Sequence, residues 1–89
     1  MRLALVLLIF LAVPAYAAQP CGPRADMLKF LATKYNETTR MIGLAPDAVI
    51  EVHASESGTW TITATRANGV TCFLASGRAY DAIPPGVAG

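Results

Sequence analysis

The chain has 89 residues, 54% of them hydrophobic, with seven basic and six acidic side chains and a formal net charge of +1. A length of about 90 allows one small domain and excludes a multidomain enzyme. So even a charge balance argues against nucleic acid or an anionic membrane surface as partner.

The hydrophobic fraction is unevenly spread. Of the first 17 side chains, 15 are in the hydrophobic set, and residues 18–89 hold about 46%, an ordinary globular value. Met1-Arg2 is a short basic start, Leu3 to Val13 an unbroken apolar run, and Pro14-Ala15-Tyr16-Ala17 a break followed by a small-x-small site. This is the pattern of a secretory signal peptide, with cleavage expected after Ala17. The alternative, a membrane anchor, is too short: the apolar run makes about 16 Å of helix against a hydrocarbon core of about 30 Å. No stable anchor is therefore expected after cleavage. A lipoprotein site at Cys21 is disfavoured because Gln19-Pro20 precedes it where small residues are needed.

Export permits disulfides, and Cys21 and Cys72 are the only two cysteines. Their bridge closes a loop that the chain-entropy model values at about 4 kcal/mol. In a domain this small such a staple is expected, because the core alone supplies only a few kcal/mol. The competing roles, a nucleophile or a metal pair, need a nearby base or further ligands.

The first element after the leader is a helix. Pro23 suits its first position, Asp26 its first turn and Lys34 its last. Met27, Leu28, Leu31 and Tyr35 recur at helical spacing, which predicts a helix from Pro23 to Tyr35, ending near Asn36. The period then changes to two. Strands are expected over Ala48 to Ser55, Thr59 to Arg66 and Val70 to Ser76, with a weaker one over Arg40 to Leu44. Pro46-Asp47 turns the chain into the first of them. Glu56-Ser57-Gly58 and Ala67-Asn68-Gly69 suit three-residue hairpin loops, each a type I turn closed by a glycine bulge.

Those loops set the register. They pair Val52 with Ile62, Ala54 with Trp60, Ala64 with Cys72 and Ile62 with Leu74. One face then carries Ile50, Val52, Ala54, Trp60, Ile62, Ala64, Cys72 and Leu74, and is expected to pack under the helix. The opposite face carries Glu51, His53, Thr61, Thr63, Thr65, Thr71, Phe73 and Ala75. Because a one-residue slip flips a whole strand, this agreement between faces is informative. The expected fold class is α+β: one N-terminal helix on a three- to four-stranded antiparallel meander, with one disulfide joining the helix start to the last strand. The expected organisation is a leader over 1–17, one domain over 18–80 and a flexible tail over 81–89. Arg78-Ala79-Tyr80 either adds a short edge or begins that tail.

Candidate chemistry is sparse. His53 is the only histidine, and Glu51 shares its strand face, which is the arrangement of a general base with a helper and equally of a solvated strand. No second histidine supports a metal site, and no phosphate-binding glycine loop or cofactor motif is present. Asn36-Glu37-Thr38 is a glycosylation triplet, relevant only in a eukaryotic host. The threonine-rich face, with His53, Thr61, Thr63, Phe73 and Glu51, is the candidate binding face, since a sheet packed on one side offers its other side to water or a partner. The sheet edges are a second option.

At Gly58-Thr59-Trp60-Thr61, Asn68-Gly69-Val70-Thr71-Cys72 and Ala75-Ser76-Gly77 the chain resembles a family of small exported alphaproteobacterial proteins. Those proteins have a leader, an early cysteine, a helix with a Leu…Lys-Tyr segment and a Gly-x-Trp…Gly-x-x-Cys hairpin. Leu28 to Glu37 supplies the helix segment, and the resemblance spans nearly the whole mature chain. It implies bacterial export and one disulfide, and it carries over no catalytic residue. The helix-then-meander order is also similar to PepSY domains, some of which restrain secreted proteases, although a cysteine pair is not part of that pattern.

Two functions are therefore expected in preference to catalysis. The first is a non-enzymatic periplasmic binding or accessory protein for a protein or small ligand, using the threonine-rich face. The second is a small inhibitor of a secreted hydrolase. An enzymatic role would rest on Glu51 and His53 alone.

Overall fold

The computed structural model describes residues 19–86. The expected leader and the end of the expected tail lie outside the described residues. The fold is α+β, one helix with a five-stranded antiparallel sheet. In chain order the elements are β1 (Cys21–Pro23), α1 (Arg24–Tyr35), β2 (Thr38–Ala45), β3 (Ala48–Ala54), β4 (Trp60–Thr65) and β5 (Val70–Gly77). The sheet order is β1-β5-β4-β3-β2.

The helix and the hairpins form where local chemistry places them. Asp26 and Lys34 occupy the first and last turns of α1, each favourable with the helix dipole. Asn36 ends the helix in the left-handed conformation, φ 55°, which asparagine tolerates better than most residues. Gly58 and Gly69 take φ of 99° and 86°, and the backbone N–H of each donates to the carbonyl three residues back, Ser55 and Arg66. These are the expected turns with a glycine bulge. They set the expected pairs Val52–Ile62, Ala54–Trp60, Glu51–Thr63, His53–Thr61 and Ala64–Cys72.

Three features differ from expectation, and a fourth decides between two alternatives left open. First, a fifth strand exists: Cys21–Pro23 pairs with β5, and Cys21 lies directly opposite Cys72. Three residues containing Gly and Pro carry no strand signal of their own; the pairing with β5 makes the strand. Second, β2 is longer than expected and bulges at Arg40. Third, a bulge in β5 leaves Leu74 as the extra residue, so Ile62 pairs with Ala75 and not with Leu74. Fourth, Arg78 to Tyr80 adds no strand; Ala79 takes φ 62° and the Tyr80 N–H donates to the Gly58 carbonyl.

The largest correction concerns which face is covered. Glu51 and Thr63 are 0% exposed and His53 is 1% exposed, with Thr61, Thr65 and Thr71 also buried. The helix lies on this side: Arg24 reaches Glu51, and the Phe30 ring lies 6.0 Å from that of Phe73. Ile50, Val52, Ile62 and Ala64, expected beneath the helix, are only half-buried on the opposite, open side. The Cys21–Cys72 bridge lies on that open side too, in line with Ala64 and Ile50.

Connectivity supplies the physical reason. Four successive antiparallel pairings make β1 and β2 parallel, at opposite edges of one sheet. A helix joining two parallel strands of a sheet is strongly restricted in hand, which limits the face it can cover. With β1 unseen in the sequence, that restriction was invisible. Threonines then suit the covered face, since their hydroxyls pair with one another and with His53, as described next.

Candidate functional site

The residues expected to form an open binding face instead form a buried polar layer. Arg24, at the first position of α1, donates two hydrogen bonds to the Glu51 carboxylate, Nε to Oε1 at 3.1 Å and Nη2 to Oε2 at 2.8 Å. This bidentate geometry is the strong form of an ion pair. Donating to Glu51 holds the Arg24 pKa above its ordinary value. His53 is gripped on both ring nitrogens: Nδ1 lies 3.1 Å from the Thr39 hydroxyl and Nε2 2.9 Å from that of Thr63. A hydroxyl can donate or accept, so the two threonines fit either neutral tautomer. Thr65 and Thr71 hydroxyls pair at 2.7 Å.

Burial pushes the His53 pKa down, and the negative charges of Glu51 and Glu37 offset part of that. The ring is therefore a neutral, satisfied member of the interior. Glu51 and His53 do share a face as expected, but Glu51 is engaged by Arg24 and neither residue reaches solvent. Thr61 and Thr63 are buried with them, and Phe73 is half-buried against Phe30. Among the described residues, no cluster of three His, Cys, Asp or Glu side chains could hold a metal ion.

The structure brings together a different group of residues. The αL turn at Asn36 sends the chain back under the end of α1, and the Glu37 N–H donates to the Leu31 carbonyl at 3.1 Å. Glu37 is thereby 4% exposed, and its Oε1 has no hydrogen-bond partner among the described residues. An unpartnered buried acceptor is uncommon, because it forgoes about 1–3 kcal/mol of solvation.

Glu37 lines a cleft of about 340 Å³ between the C-terminal half of α1 and the end of the β4–β5 hairpin. Leu31, Tyr35, Trp60 and Phe73 line it as well, and Arg78 is exposed at its rim. Trp60 is fixed twice. Its Nε1–H donates to the Arg78 carbonyl at 3.0 Å, and its ring passes over Gly77, where an added Cβ would stand only 2.7 Å from it. The cleft thus has the size and the mostly apolar lining, with a few polar groups, of a small-molecule site.

Of the expected site residues, Thr61 and Phe73 line this cleft, while Glu51, His53 and Thr63 do not. In the sequence Glu37 is marked by nothing beyond the glycosylation triplet and the end of the helix segment, Leu28 to Glu37, neither of which points to a buried carboxylate. The signal that could have found it is Asn36: an asparagine closing a helix in the αL conformation turns the next residue inward.

A second surface is apolar and uncovered. Met41, Ile42 and Leu44 on the edge strand β2 are 63%, 64% and 85% exposed. No helix among the described residues is long and apolar enough to cross a membrane.

Comparison with protein families, with characterised proteins and with solved structures finds no match to this chain.

Proposed function

We propose that this protein is a non-enzymatic binding protein, exported to the periplasm, that holds a small ligand or a partner's side chain in the cleft between α1 and the β4–β5 hairpin. The observation that carries this is Glu37: a buried carboxylate oxygen without a partner among the described residues, at a cleft lined by three aromatic residues. The Cys21–Cys72 bridge is consistent with an oxidising compartment, and the basic-apolar-small leader pattern supports export.

The test is ligand-observed NMR on the mature protein with a mixed set of aromatic, aliphatic, cationic and anionic small molecules. Bound molecules should shift the backbone amides of Leu31, Thr61 and Phe73 and quench Trp60 fluorescence. Hits that map consistently elsewhere, or none at millimolar probe, sink the proposal.

A second role, inhibition of a secreted hydrolase, is favoured by the exposed edge of β2. An unpaired strand with apolar side chains on both faces can add to an extended enzyme segment. Micromolar protein against a panel of periplasmic proteases and lysozymes decides it, with Ile42→Lys as the variant that should lose inhibition.

A further inference from the structure

We propose that the cleft selects an organic cation, an ammonium or guanidinium group on an apolar stem, with one N–H donating to Glu37 Oε1. This rests on the cleft being the ligand site, and it names what the site recognises.

Three observations point to a cation. The first is that Glu37 supplies an acceptor that the protein leaves unused. A charged donor gains more from such an oxygen than a neutral one, because charge-assisted hydrogen bonds are roughly twice as strong.

The second is that no cation of the described residues sits on Glu37: Lys29, Lys34 and Arg78 are exposed and make no ion pair with it, and the other arginines are held elsewhere. Arg24 is held by Glu51, Arg40 pairs with Glu56 and lies over the Tyr80 ring, and Arg66 pairs with Asp47. Among the described residues no ion pair includes Glu37. His53, the titratable base of the interior, has both nitrogens occupied by threonine hydroxyls.

The third is the wall. Tyr35, Trp60 and Phe73 line the same space, and aromatic faces attract cations. The Trp60 indole N–H is already spent on the Arg78 carbonyl. What remains for a ligand is ring surface, tyrosine, threonine and serine hydroxyls, and the Glu37 oxygen. Arg78 is exposed at the rim, where its charge is solvated and screened. A free amine and a lysine or arginine side chain of a partner present the same group, and both fit a space of about 340 Å³.

The probes are phenethylamine, its neutral analogue 2-phenylethanol, the anion phenylacetate and the tripeptide Gly-Lys-Gly, titrated at pH 7.5 with Trp60 fluorescence and amide shifts as readouts. The amine should bind at least about tenfold tighter than the alcohol, and phenylacetate weakest. Glu37→Gln should reduce the preference for amine over alcohol to within about twofold while the alcohol still binds. Gly-Lys-Gly binding tighter than phenethylamine identifies a partner's side chain as the source; the reverse identifies a free amine. If the alcohol binds wild-type protein as tightly as the amine, or Glu37→Gln keeps the preference, the cation proposal is overturned and the cleft remains the site. If no probe shifts the cleft residues, both fail together. Should Glu37→Gln not fold, the wild-type comparison of amine with alcohol decides alone.

Discussion

The Arg24 guanidinium spans from the first residue of α1 to the middle of β3 to clamp the Glu51 carboxylate with two hydrogen bonds. The pair is unequal: the arginine side chain is 45% exposed and the glutamate 0%. Removing the arginine strands a buried charge, whereas removing the glutamate frees an arginine that water can solvate. Breaking a fully buried pair costs about 3–5 kcal/mol, and partial solvation of Arg24 reduces that to about 2–3 kcal/mol for Arg24→Ala. Replacing both, as Arg24→Met with Glu51→Leu, should recover most of the loss. Urea unfolding of the two variants measures this; an Arg24→Ala midpoint equal to wild type would show that the clamp adds nothing to stability.

His53 gives the protein a pH dependence with a defined sign. Its ordinary pKa is 6.5, and burial lowers it in the folded state. Below pH 6.5 the unfolded chain therefore binds a proton that the folded chain resists, so stability falls as pH drops through that value and levels off below the folded pKa. Above it the term vanishes. Thermal midpoints between pH 8 and 5 should decline, and His53→Gln should flatten the part of the decline nearest pH 6. An unchanged slope in the variant would assign the decline to carboxylates instead.

The covered and open faces are distinguished by a pair of neighbouring substitutions. Thr63→Asp places a charge in the buried layer against His53 and should cost several kcal/mol, enough to unfold so small a domain. Ala64→Glu, one residue on and facing the open side, should cost less than about 1 kcal/mol. Circular dichroism of the two variants gives the answer, and the opposite ranking would restore the apolar face to the interior.

Gly77 is a contact position for Trp60. Adding a methyl there meets the indole at 2.7 Å, so Gly77→Ala must push the ring aside. Overpacking of this kind costs about 1–3 kcal/mol. Trp60, the sole tryptophan, should show a shifted emission maximum, and ligand binding in the cleft should weaken. Emission identical to wild type would mean the ring had room to spare.

Reducing the bridge, or replacing both cysteines by serine, should cost up to about 4 kcal/mol, given a separation of 51 residues. Unfolding midpoints with and without reductant measure it.

The sequence reading succeeded where local chemistry decides the outcome. Gly58 and Gly69 at the same loop position gave both hairpins and nearly every cross-strand pair. Alternation from Ile50 to Ala54 and from Thr61 to Thr65 divided the residues correctly into two faces. What alternation does not contain is which face the helix takes. That depends on β1, whose three residues become a strand only by pairing with β5, and on the restricted hand of the crossover that β1 creates. The usual rule that apolar residues go inside then chose the wrong side, because His53 and the threonines satisfy one another's hydrogen bonds when buried. Glu37 was illegible for a related reason: a backbone turn buries it, and no periodicity marks it.

The two edges of the sheet are unlike. On one side β1 is three residues long, ends in proline and is bolted to β5 by the disulfide; on the other, β2 offers eight residues with no strand beyond it among the described residues. Growth of the sheet by strand addition therefore has a single direction. Two copies joined through β2 leave only the bolted edges outside, so pairing of that kind terminates at two chains and does not run on into a filament.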